Sequence, residues 1–169
     1  MTHKQIFEAT LKREKIGGRV PTFELVFFLT MELIGKVHTS QRFYSQWDQM
    51  SAREKELQLQ DEADSLIEPI KIFDHSALFV HPNPTDFDSV KRLLEIIREK
   101  TGDEYFLVMH GDTTLEIPTG NDMMELSMRL FEDQDGLIKE QKRRMINAFE
   151  FAEKINKHEK LLDGFALCS

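Results

Sequence analysis

Tyr105-Phe106-Leu107-Val108-Met109-His110-Gly111-Asp112 is an oily run that turns abruptly polar. The apolar part, Tyr105 to Met109, is too short for a solitary helix and suits a strand buried on both faces, as in a parallel sheet. Thr101-Gly102-Asp103 punctuates its entry. A buried strand with polar residues at its C-terminal end is the local pattern of an α/β protein whose site lies at that end. The chain carries this design four times, with helical stretches between.

Working outward, residues 3–14 read as a helix with Ile6, Phe7 and Leu11 on one face. Gly17-Gly18 stops it, and Val20 to Phe27 forms the first expected strand. Phe28 to Ile34 continues as a short helix, and Lys36 to Met50 is a long loop carrying Phe43, Tyr44 and Trp47. Such a loop packs over a pocket or a sheet edge. Ser51 with Glu54 makes a capping-box pattern for a helix running to Asp74, in which Pro69 predicts a kink or a break. Ser76 to His81 is the second strand. Thr85 or Asp86 caps the next helix, whose stripe is Val90, Leu93, Leu94 and Ile97.

Beyond the third strand, Met123 to Phe131 and Asp135 to His158 read as helices, and Leu162 to Ser169 as the fourth strand. Met123, Met124, Met128 and Met145 have helical spacing and are expected in the core. Leu137, Ile138, Met145, Phe149 and Ala152 are expected to face the sheet. Helices of this length between strands imply βαβ crossovers and a mostly parallel sheet. Period alone leaves open whether the sheet is open or part of a (β/α)8 barrel.

Composition narrows the function. A chain of 169 residues is one domain, long enough to bury a core. A net charge of −8 argues against binding a phosphate backbone. The single cysteine, Cys168, forms no intrachain disulfide and points to a reducing cytoplasm. The oiliest stretch, Phe23 to Ile34, holds Glu24 and Glu32 and is too short to span a bilayer, so no membrane role is expected.

Candidate chemistry gathers at the expected strand ends: Glu24 on the first, His81 with Asn83 after the second, His110 with Asp112 after the third, and Cys168 at the fourth. A carboxylate, two imidazoles and an amide at one rim suit proton transfer or metal binding. Gly111 would let backbone approach a ligand closely. Each has a plainer reading: His81 satisfying backbone carbonyls, Asp112 capping the next segment, Cys168 filling the core. No phosphate-cradling loop, dinucleotide fingerprint, Cys-x-x-Cys pair or nucleophile elbow is present.

Arg19-Val20-Pro21-Thr22-Phe23-Glu24-Leu25, Phe106 to Asp112, and Asp163-Gly164-Phe165-Ala166-Leu167-Cys168-Ser169 together resemble the uroporphyrinogen decarboxylase superfamily, nearest to its decarboxylase-like and corrinoid-linked methyltransferase branch. The resemblance runs along essentially the whole chain. It implies a partial (β/α)8 TIM barrel: an N-terminal helix followed by parallel strands one to four. Four strands cannot close a barrel, so a second copy or a complementary half-barrel chain is expected to complete it. It further implies methyl transfer to or from a small thiol or corrinoid, with a corrinoid protein as partner. Zinc is also implied, although the family's zinc ligands belong to the second half of the barrel and Cys168 does not match them.

Two departures set porphyrinogen decarboxylation behind methyl transfer. The arginine-rich stretch after the first strand is replaced by Phe23-Glu24-Leu25-Val26-Phe27, and the aspartate after the second by His81-Pro82-Asn83. The expected roles are catalysis for His110 and Asp112 and substrate binding for Glu24, His81 and Asn83, with no metal ligand among them. A non-catalytic binding or assembly module is the remaining alternative.

Overall fold

The computed structural model describes residues 1–25, 30–111 and 118–166. In chain order the elements are α1 (His3–Leu11), α2 (Thr30–Ile34), α3 (Ala52–Phe73), β1 (Ala77–Val80), α4 (Phe87–Thr101), β2 (Phe106–His110), α5 (Asn121–Glu132), α6 (Gln134–Ile155) and β3 (Gly164–Ala166). The fold is mixed α/β, with three parallel strands among the described residues, in the order β1-β2-β3.

The register separates two faces. Leu78 pairs with Leu107, Val80 with Met109, and Met109 with Phe165. These side chains pack against Leu59, Leu66 and Ile70 of α3, Val90, Leu94 and Ile97 of α4, and Ile155 of α6. The opposite face carries Phe79, Phe106 and Val108. Phe7 of α1 lies 5.0 Å from the Phe106 ring and Phe23 lies 6.4 Å from Phe79. Helices α3, α4 and α6 thus cover one side, while α1 and the segment before residue 26 lie on the other.

Local signals set the helix starts. Ser51 and Glu54 form the reciprocal capping box of α3, and Asp86 accepts from the Ser89 N–H at the start of α4. Pro69 does not break α3. It lacks one N–H, but Leu66, Ile67 and Ile70 around it are buried, and that packing carries the helix through.

Three expectations need correction. The described part of the first expected strand, residues 20–25, is not a strand. Its recorded backbone link to the sheet is Ser76 N–H to Thr22 C=O at 2.8 Å. Pro21 has no N–H to give, and Val20 is 71% exposed, so this stretch flanks β1 without the burial a strand would need. The four methionines expected in the core are between 45% and 70% exposed. Finally, α6 turns Leu137, Phe151 and Ile155 inward, leaving Ile138, Met145 and Phe149 out. No helix among the described residues is long and apolar enough to cross a membrane.

The N-terminal ends of the strands are tied together by charge. Asp163, whose side chain is fully buried, meets Lys4 Nζ at 2.7 Å and Arg98 at 2.6 Å, and accepts the Leu107 N–H at 2.9 Å. His3 bridges Asp74, just before β1, and Glu104, just before β2, at 2.8 and 2.5 Å. Helix α1 is therefore anchored beneath the start of every strand.

Candidate functional site

At the opposite ends of the strands the sheet presents imidazoles. Residues 77, 79 and 81 share one face of β1 and its continuation, and 106, 108 and 110 share the same face of β2. His81 and His110 therefore emerge side by side, with ring centroids 5.6 Å apart and the Phe79 ring within 5 Å of each. The two histidines expected at the site are brought together.

His38 joins them from the long loop, its ring 5.5 Å from that of His81. The loop is pinned there by Thr39 Oγ1–H, which donates to the His81 carbonyl at 2.8 Å. Burial, His81 and Arg42 push His38 down to about 4, so it is neutral near pH 7. Its Nδ1 accepts from the Ser40 N–H, which leaves the proton on Nε2. His81 is likewise held below the usual imidazole value, chiefly by burial and also by His110, against the opposing effect of its bond to Leu25. Its Nε2–H donates to the Leu25 carbonyl at 2.5 Å, leaving Nδ1 as a lone-pair acceptor.

Of the other expected residues, Glu24 and Asn83 fall among the described ones. Glu24 is exposed, and with His38 and His81 it lines a cavity of about 20 Å³, room for one water. Asn83 is engaged structurally: its side-chain amide donates to the carbonyls of Thr39 and Arg42 at 2.9 and 2.7 Å, holding the loop down. Asp112 and Cys168 lie outside the described residues. Gly111 does permit a close approach, but to the protein itself. A Cβ placed there would lie 2.5 Å from Cβ of Phe165, so the glycine lets β3 close against β2.

Sequence reading missed Glu62. It is fully buried on α3, accepts the Asn83 N–H at 2.9 Å through Oε1, and has no hydrogen-bond partner for Oε2. Burial pushes its carboxyl up to about 8, outweighing the Asn83 bond and the pull of Arg42, so it is a neutral acid near pH 7. The signal was present: Glu62 falls on the apolar stripe of α3, three residues after Leu59 and four before Leu66. His38 left no comparable mark, since a histidine in an aperiodic loop reads as surface.

A larger cavity of about 420 Å³ opens beside the rim. Val80, Val90, Met109, Phe151 and Phe165 wall it, and Ser40, His81, Thr85 and His110 supply its polar groups. Its size and apolar walls suit a small molecule.

The zinc implied by the family resemblance finds no donor set here. Among the described residues no group of three or more His, Cys, Asp or Glu is placed to hold a metal, and one ring nitrogen each of His38 and His81 is already engaged. The fold and rim define an α/β protein with a cleft at the C-terminal ends of parallel strands. Compared with family models, curated proteins and solved structures, the chain matches none.

Proposed function

We propose that the chain is part of a uroporphyrinogen decarboxylase-like (β/α)8 barrel that binds a small molecule at the His81–His110 rim and works in corrinoid-linked methyl transfer. The observation that carries this reading is polarity along the sheet: α1 anchored under the strand starts, and two adjacent imidazoles at the strand ends. In this reading His110, with Asp112, moves the substrate proton, while His81 and Glu24 bind and orient the substrate. The corrinoid is a co-substrate carried by a partner protein and supplies the methyl carrier. A second copy or a complementary half-barrel chain adds the remaining strands, because the three parallel strands among the described residues cannot close a barrel.

Porphyrinogen decarboxylation stands second. Its substrate is polyanionic, and no lysine or arginine lines the larger cavity among the described residues.

The test is loss of the methyl–cobalt absorbance of methylcobalamin in the presence of a small thiol, with the chain combined with whatever partner it purifies with. His110→Ala should lower the rate by about 10²–10⁴-fold while leaving the melting temperature unchanged. A folded wild type that stays inert in its completed assembly would reduce the protein to a binding or assembly module.

A further inference from the structure

We infer that the cavity beside the strand ends takes an uncharged, predominantly apolar molecule bearing one hydroxyl-type hydrogen-bond donor, which it presents to His81. The inference deepens the proposed function, resting on it for the view that the strand-end rim is the ligand's side of the molecule.

Three observations carry it. The walls are hydrocarbon and aromatic: Val80, Val90, Met109, Phe151 and Phe165. No aspartate, glutamate, lysine or arginine lines the cavity among the described residues, and Lys154, one turn along α6 from Phe151, is seated over the Phe87 ring at 3.8 Å. A carboxylate or an ammonium entering here would lose its hydration without gaining a counter-charge. An alcohol loses only a hydrogen bond, and His81 can replace it. Because the ε nitrogen of that ring already donates to the Leu25 carbonyl, what it has left to offer is the bare δ nitrogen, an acceptor. The imidazole stays neutral near pH 7, because burial and His110 favour the uncharged form. Ser40 and Thr85 hydroxyls add adaptable partners on the same cavity.

The test compares 1-hexanol, hexanoate and hexylammonium, nearly equal in shape and different in head charge. Each is titrated into the full chain at about pH 8, where ordinary imidazoles are neutral. Binding is read from the methyl NMR resonances of Val80, Val90 and Met109. The expected result is saturable shifts with 1-hexanol, at an affinity about tenfold or more above either ion. Ala148→Phe, which fills the cavity from α6, should remove these shifts. Hexanoate binding as tightly as 1-hexanol, shifts centred elsewhere, or no saturable binding of any of the three would overturn the inference. The comparison of head groups is made on the wild-type chain and needs no variant to fold. Binding is read without turnover, so the two readings fail separately. A chain inert in methyl transfer that still prefers the alcohol removes only the proposed function, and a turning-over chain that prefers hexanoate removes only this inference.

Discussion

The two ends of the sheet solve opposite problems. At the strand starts, Asp163 is buried with three cations, Lys4, Arg98 and Lys160, and a backbone N–H around it, and His3 joins Asp74 to Glu104. At the strand ends, His38 and His81 are held neutral, Glu62 keeps its proton, and the imidazoles face a cavity instead of counter-ions. Charge at the first end locks α1 and β3 into register with β2. At the second, Asp61 pairs with Lys36 and Arg42, while among the described residues the imidazoles and Glu62 have no ion-pair partner. One end is tied by ion pairs, and the other turns neutral polar groups towards a cavity.

The largest test of that contrast is Asp163→Asn. It leaves Lys4 and Arg98, both with nearly buried side chains, with only the exposed Asp103 as a shared anion, and should cost up to about 3–5 kcal/mol in chemical denaturation. Burial alone would raise the Asp163 carboxyl, but the bonds from Lys4, Leu107 and Arg98 hold it below the usual range. The wild-type contribution is therefore present above the ordinary aspartate pKa and fades as pH falls through the lower folded value, a fade the variant should lack. A loss as small as that of an exposed pair, under about 1 kcal/mol, would erase the difference between the two ends.

Glu62→Gln probes the other end with the opposite sign. The folded carboxyl sits at about 8 against an ordinary 4.5, so the folded chain keeps a proton that the unfolded chain releases. Wild-type stability should be fullest below 4.5 and fall by about 1.4 kcal/mol per pH unit towards 8, then level off. The glutamine variant should be flatter across that window and more stable at its upper end, by an amount on the order of a few kcal/mol. Parallel pH profiles for the two proteins would mean that Glu62 is ionised and paired.

Gly111→Ala gives the smallest expected effect, about 1–3 kcal/mol from overpacking against Phe165. It sharpens the comparison by showing whether the strand ends contain one tight joint amid their open chemistry. An unchanged melting temperature would place β3 farther from Gly111 than the structure has it.

Much of the architecture was legible because it is local. The oily run ending in His110 and the stripe Val90, Leu93, Leu94 and Ile97 contain their own period, and Ser51 with Glu54 satisfies its helix start without help. The same reasoning failed for α5 and α6. A helical repeat shows that a helix has an apolar face, but not that the chain supplies something to cover it. Val90 and Ile97 find β1 and β2, whereas Met124, Met128 and Phe131 remain exposed. The expected strand at residues 20–27 failed for a related reason: apolar composition shows what a stretch could bury, while pairing needs a neighbour in register.

By itself the sequence determined the alternation of helix and parallel strand, the caps that start α3 and α4, and the placing of His81 and His110 at strand ends, since each depends on residues within a few positions of one another. Only the tertiary structure decided that His38 joins those two rings, that Asn83 holds a loop, that Gly111 makes room for Phe165, and that Glu62 stays protonated. Those outcomes depend on burial and on partners tens of residues away. Solvation and long-range contact are properties of the packed molecule, and no local pattern encodes them.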